Sequence, residues 1–236
     1  MILAILEAGL LGPRSAEMMM APMLGEPFIW RQVERVRRAR TLSKIVVATS
    51  RDLRDDKLCG YLISRGQIVF RGEAEDMIGG YARCAKTLGG PSHIVHLRAD
   101  TPLVDPGVID EAVRYAVSSR APYVSNTAPA TYPKGLEVEV VSATALAAAD
   151  AEAEGEERAS VSQFLRGQPE RFEAAYFSAR RDWSGFDWTV RSAAGFALAR
   201  AVFETLFPIN PDFGVEEALD FIDRRPDLAA MRTAAA

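Results

Sequence analysis

The chain has 236 residues, 48% of them hydrophobic and 25% charged, which is ordinary for a globular protein and enough to bury a sizeable α/β core. A formal charge of −4, with lysines and arginines scattered apart from the run RQVERVRRAR, excludes a broad nucleic-acid footprint; that run is expected to coat the solvent face of a helix. Two cysteines, Cys59 and Cys84, form no Cys-x-x-Cys pair, which excludes a disulfide framework and points to a reducing cytoplasm.

The N-terminal stretch MILAILEAGLLG lacks a basic leader and breaks at Gly9, Gly12 and Pro13, far short of the roughly 20 residues of a membrane span. It reads as a first buried strand, Ile2 to Leu6. Further apolar runs at Lys44 to Ala48, Gln67 to Phe70, Ile94 to Leu97 and Tyr123 to Ser125 lack alternation, as strands of a parallel sheet with both faces covered do. Helical patterns lie between them at Phe28 to Ala39, Leu53 to Ser64, Glu75 to Leu88 and Pro106 to Ser119. This βαβα rhythm predicts an α/β, doubly wound domain. Beyond Pro133 the rhythm changes. LEVEVVS alternates like a half-exposed antiparallel strand, Ala143 to Arg158 reads as a surface helix, and Phe172 to Phe177 as a strand. From Ala194 two helical stretches are joined by PINPDF, and the terminal MRTAAA is expected to fray. No repeat or second autonomous domain is evident.

The segment His93 to Pro106, HIVHLRADTPLVDP, carries the strongest functional signal. An apolar strand ends in Asp100, and a carboxylate at the carboxyl end of a buried strand projects into the crevice where α/β sheets bind ligands. The bland alternative for Asp100 is a cap or turn carboxylate. His93 and His96, spaced His-x-x-His, would face opposite sides of a strand, so no chelate is expected. Cys59 and Cys84 are expected to pack in helices.

Taken in order, MILAIL, GEPFIWRQVERV, KIVVATSRDLRDD, IVFRGEAEDMI, DTPLVDPGVIDE, YVSNTAPATYPKGLEVEV and DWTV resemble the cytidylyltransferase-like nucleotidyltransferases. The resemblance is to the branch of spore-coat polysaccharide biosynthesis F-type proteins, relatives of the acylneuraminate and deoxy-octulosonate cytidylyltransferases, and it spans nearly the whole chain. It implies a Rossmann-like mixed sheet of the nucleotide-diphospho-sugar transferase type in a single domain, 1–236, with a β/α dimer arm at about 136–180 and hence a homodimer. It implies, too, transfer of a nucleotide from CTP to an acidic or phosphorylated sugar, with magnesium held by carboxylates. Such attack on an α-phosphorus needs cations to meet the charge on the triphosphate.

By this resemblance Arg14 and Asp100 are the catalytic candidates, Asp100 as the metal ligand. Ala8, Ala48, Thr49, Ser50 and Arg71 fall on the nucleotide side. Ser125, Asn126, Tyr132, Gly135, Glu137, Glu139 and Arg158 fall on the substrate side. Several positions depart from the family pattern. Gly9 and Met18 stand where two phosphate-binding cations belong, Gly79 and Gly80 replace Asp-Arg, Ser160 ends an altered Arg-Glu-His stretch, and Glu7 and Glu17 add negative charge beside a polyanion site. Most tellingly, the late Trp-Thr-Val-Asp motif reads Trp188, Thr189, Val190, Arg191, so a guanidinium replaces the second metal carboxylate. Arg191 could instead form a forked pair with Asp100. Met18, Met19, Met20 and Met23 are expected to serve packing, and Asp55 and Asp56 to be first-turn helix acids.

Three readings stay open: an active nucleotidyltransferase of surface-polysaccharide biosynthesis that uses magnesium; a catalytically silent relative, without a cofactor, that binds a nucleotide, a nucleotide sugar or a partner protein in the old crevice; and a diverged enzyme. All three place the protein in the cytoplasm, with neither nucleic acid nor membrane as partner.

Overall fold

The computed structural model describes residues 1–8, 15–73 and 75–231. Strand β1 (Ile2–Glu7) alternates Leu3 and Ile5 with Ala4 and Leu6, and each set enters a different buried cluster, so this strand is covered on both faces. It pairs in parallel with β4 (Lys44–Ser50) on one side and β6 (His93–Arg98) on the other. Including β5 (Ile68–Gly72), β7 (Tyr123–Ser125), β8 (Glu139–Ser142) and β9 (Ala174–Tyr176), the seven-stranded order is β5-β4-β1-β6-β8-β7-β9. Only β8 runs against its neighbours, with β7 and β9 again parallel to each other. Chain order reverses beside β1, which opens a crevice beyond the carboxyl ends of β1 and β6.

Before the second sheet strand lie α1 (Ser15–Met19), a small hairpin of β2 (Pro22–Met23) and β3 (Glu26–Pro27), and α2 (Phe28–Val36). Helices α3 (Asp56–Ser64), α4 (Met77–Thr87) and α5 (Pro106–Ser119) follow the next strands. Helices α6 (Ala143–Glu152) and α7 (Val161–Arg166) flank a short 3-10 turn at Gly155–Ala159. The tail folds as α8 (Ala193–Leu206), α9 (Val215–Asp223) and α10 (Pro226–Met231), three helices where two are expected.

The structure corrects the sequence reading in two places. LEVEVVS does not make a half-exposed edge: Val140 and Val141 are both buried, because β8 is inserted between β6 and β7. The 136–180 stretch accordingly contributes β8 and β9 to the main sheet. The basic run of α2 does not face solvent throughout. Arg35 is fully buried and donates to the carbonyls of Val104 (3.1 Å), Pro211 (2.7 Å) and Phe213 (2.6 Å), with its guanidinium 3.9 Å from the Phe213 ring centroid. That one side chain binds the loop before α9 to α2 and to the turn before α5. The four methionines of the 18–23 segment are packing residues, with Met19 and Met23 fully buried and Met18 and Met20 against the same core.

Candidate functional site

A crevice of about 360 Å³ opens at the carboxyl ends of β1 and β6, and Glu7, His96, Arg98, Glu137, Glu139 and Arg191 line it together with Lys134. Strand register explains how they meet. Glu7 of β1 lies opposite Arg98 of β6, and His96 opposite Glu139 of β8, so period-2 alternation turns Glu7, His96 and Glu139 to the same sheet face as Ile5, Ile94 and Val141.

Asp100 follows β6 and is only 3% exposed. Arg98, two residues earlier, clasps it with a fork, Nε to Oδ1 at 3.3 Å and Nη2 to Oδ2 at 3.0 Å. Arg191 Nε adds a contact to Oδ2 at 2.9 Å, while the Val190 N–H donates to the Asp100 carbonyl at 2.7 Å and fixes the two segments together. The fork expected of Arg191 thus belongs to Arg98, and Arg191 supplies a single tooth. Burial works to raise the Asp100 pKa, but the two guanidinium groups overcome it and hold the carboxyl below the usual carboxylate range. Asp100 does not cap the following helix: Asp105 does, accepting from Gly107 N at 2.7 Å and Val215 N at 2.8 Å.

Sequence reasoning missed His96. Its Nε2 is 2.6 Å from Glu7 Oε2 and its Nδ1 2.7 Å from Glu139 Oε2; Glu139 Oε1 accepts from the Tyr123 hydroxyl at 2.6 Å. Two carboxylate partners require both ring nitrogens to carry protons. Burial would lower the pKa of His96, yet the hydrogen bonds and charges of Glu139 and Glu7 push it up to about 10. For Glu139, burial acts upward and is outweighed by His96, which brings it down to about 2. Strand periodicity carried the missing signal, since His96 shares parity with Ile94 and Glu139 with Val141.

On the expected nucleotide side, Ala48, Thr49 and Ser50 end β4 and line a narrow, mainly apolar cleft with Glu7, Phe70 and Tyr81. Ala8 N donates to the Ala48 carbonyl at 2.7 Å, joining the two strand ends. Thr49 turns its hydroxyl to Cys59 Sγ at 3.2 Å, and Ser50 donates through N and Oγ to Asp55, at 2.9 and 2.6 Å. Asp55 therefore anchors the strand end as well as starting the helical turn. Arg71 spends its donors on Ser50 O, Asp52 O and the Asp56 carboxylate at 2.6 Å, closing the β4–α3 turn. Arg14 and Gly9 lie outside the described residues.

On the substrate side the expected residues separate. Glu137 and Glu139 reach the crevice; Glu137 accepts from Gly135 N at 2.8 Å, and burial raises its pKa. Asn126 instead braces backbone, donating to Leu136 O at 2.8 Å and accepting from Val138 N at 2.9 Å. Ser125 is buried against Thr127, and Tyr132 packs with Phe177 and Trp183. Gly135 has φ +102°, and a Cβ there would stand 2.8 Å from Thr101 Oγ1. Arg158 turns away to Asp76 (2.7 Å) and Asp150 (2.8 Å), in space that Gly79 leaves free.

Residues 18–194 match the family model described as Cytidylyltransferase. The chain belongs to the cytidylyltransferase family. It is 25% identical to the spore coat polysaccharide biosynthesis protein SpsF of Bacillus subtilis, over 99% of this chain and 98% of that protein. It is 34% identical to the 3-deoxy-manno-octulosonate cytidylyltransferase of Geobacter sulfurreducens, over 48% of this chain and 44% of that one. Its fold is that of a cytidylyltransferase structure from Leptospira borgpetersenii, with a TM-score of 0.86 at 22% identity, covering 98% of this chain and 95% of that one. The Rossmann-like mixed sheet expected from the sequence is therefore the fold of this cytidylyltransferase-family chain.

Magnesium takes oxygen donors in a near-octahedral shell and keeps several waters. In this family member the Asp100 oxygens are instead occupied by guanidinium nitrogens, and among the described residues no group of three or more His, Cys, Asp or Glu side chains is arranged to hold a metal. These residues do not fit the ion.

Proposed function

We propose that this cytidylyltransferase-family chain binds a cytidine nucleotide or nucleotide sugar in the crevice without a divalent cation and no longer carries out transfer, in the setting of activated-sugar or surface-polysaccharide biosynthesis. The observation that carries the reading is the double guanidinium clasp on Asp100. Arg191, its side chain 51% exposed, uses one nitrogen on Asp100 and can turn the others to a ligand phosphate. Fixed guanidinium groups then take the place of the ion.

The charge balance selects among ligands. The four cations His96, Arg98, Lys134 and Arg191 face five carboxylates, Glu7, Glu137 and Glu139 on the crevice wall and Asp100 and Asp187 behind it. A site with no surplus of positive charge suits a monophosphate or a nucleotide sugar better than a free triphosphate. Neutral hydroxyls of a sugar would meet Glu137, Thr127, Thr189 and Ser160 on the same wall. We place the protein in the cytoplasm as a homodimer joined through the 136–180 stretch, with Arg14 contributing to phosphate binding.

Thermal shift tests this, because a ligand of the native state raises the midpoint. CMP should stabilise the protein in EDTA, and magnesium should add little to the small effect of CTP. A shift of several degrees with CTP that depends on magnesium overturns the proposal, as does pyrophosphate release with acidic sugars. The second reading, an active nucleotidyltransferase using Asp100, draws on the retained place of that carboxylate just beyond the end of β6, behind the crevice wall.

A further inference from the structure

A file of buried charge crosses the crevice wall from the nucleotide cleft to the sugar side. Glu7 borders both the cleft beneath Ala48–Ser50 and the main crevice, whereas Glu139 belongs to the crevice and, through Tyr123, to the β7–β8 pair. His96 stands between them, 2.6 Å from one carboxylate and 2.7 Å from the other. Removing its charge would leave two carboxylates facing each other in a site that must admit a phosphate. Like charges confined so closely repel, and one of them must take a proton or swing away.

Resting on the nucleotide-binding reading above, we propose that His96 is the positioning residue of this crevice: its imidazolium holds Glu7 and Glu139 against the wall and cancels one of their charges, so that a carboxylate at the end of β1 can border a phosphate site. The negative charge that Glu7 brings to the nucleotide loop is thereby compensated from β6. Other ionisable groups around the imidazole do not displace this assignment. Tyr81 on α4 lies with its ring centroid 5.7 Å from the imidazole and its hydroxyl 3.5 Å from Glu7; Tyr123 donates to Glu139; Cys84 lies on α4; Arg98, Glu137 and Arg191 face the same crevice. Arg98 is engaged by Asp100, which leaves His96 as the cation directly bonded to both glutamates.

The test uses CMP binding by calorimetry at about pH 8 and the imidazole NMR signals of the unmodified protein. His96→Gln should weaken CMP about tenfold, the effect of one uncompensated charge near a phosphate at moderate effective dielectric. The double variant His96→Gln with Glu7→Gln should recover affinity to within about threefold of the starting protein, because the surplus charge is gone. Rescue of this kind is not expected if His96 merely fills space. The chain has two histidines, so their signals separate readily: one ring should titrate below pH 6.5, the other stay doubly protonated to at least about pH 9. Undiminished affinity in His96→Gln, equal loss in the double variant, or two rings that both titrate near pH 6.5 overturns the assignment. Absence of CMP binding by the unmodified protein overturns the functional reading, and the NMR titration still decides the state of His96.

Discussion

Raising the pH of the unmodified protein from about 7 to about 8.5 should cost a predictable amount of stability through His96 alone. The imidazole holds its proton in the fold up to about pH 10, against 6.5 for an ordinary histidine. A group whose folded pKa is raised stabilises fully below the unfolded pKa and loses that contribution as pH climbs toward the folded value. Between the two limits the native state binds about one more proton than the unfolded chain, so the unfolding free energy falls by about 1.4 kcal/mol per pH unit. Over the stated interval the loss is about 2 kcal/mol, counted once for the bonded His96–Glu139 pair. Other groups contribute little in this window: Cys84, which burial lifts from 9.0 to about 11, begins to add the same sign of loss only at its upper edge, where the unfolded thiol starts to ionise, and does so equally in His96→Gln; Tyr132 is raised above the normal tyrosine range, and burial lowers His93, whose effect appears at acid pH. Urea denaturation at several pH values, with the slope compared against His96→Gln, measures the term. A flat profile in the unmodified protein, or the same slope in His96→Gln, refutes the account of His96 as a buried imidazolium.

Arg191→Asp places a second carboxylate beside Asp100 and should raise magnesium affinity by about tenfold, read by calorimetry; no gain either alone or with Arg98 shortened as well refutes a metal role for this position. Gly79→Ala should destabilise by about 1–2 kcal/mol in urea, since its Cβ would collide with Asp76 Oδ2 and stand 2.6 Å from Arg158 Nη2, at the cap of α4. An unchanged midpoint would show that the Asp76–Arg158 pair shifts freely. Arg35→Met should cost about 3 kcal/mol, because three carbonyls lose a charged donor at once, and a loss below about 1 kcal/mol would mean that water replaces it.

Periodicity located the core elements because they obey it. The strand Tyr123–Ser125 and the helix Pro106–Ser119 have the predicted bounds, the latter because Asp105 caps it and Pro106 occupies its first turn. Strand ends were read short, at Leu6, Ala48 and Leu97, because the chain turns polar there while the ladder continues to Glu7, Ser50 and Arg98. Those polar ends are where the crevice lies. β8 is the antiparallel strand expected, but its alternation does not mean exposure: Glu137 and Glu139 alternate with the buried Val138 and Val140, yet they line the charged crevice rather than an open sheet face.

The same cause hid His96. Parity along β6 excludes a chelate with His93 and at the same time places His96 on the face of Ile94, but a single sequence does not give the register that sets it against Glu7 and Glu139. Register is decided by the apolar pattern of the whole sheet and by the insertion of β8 after a crossover, which are long-range choices. Asp100 illustrates the converse. Its place beyond β6 follows from local sequence, as does the missing carboxylate at Arg191, but its principal partner is Arg98, the last residue of β6, and that clasp depends on how the turn after the strand brings the carboxyl back. Arg191 meets Asp100 from one side, and β6 brings two further cations, Arg98 and His96, to the same crevice. Magnesium affinity is therefore expected to depend on β6: Arg191→Asp alone would still leave the Arg98 fork across both Asp100 oxygens, and the larger gain in magnesium affinity is expected only when Arg98 is shortened as well.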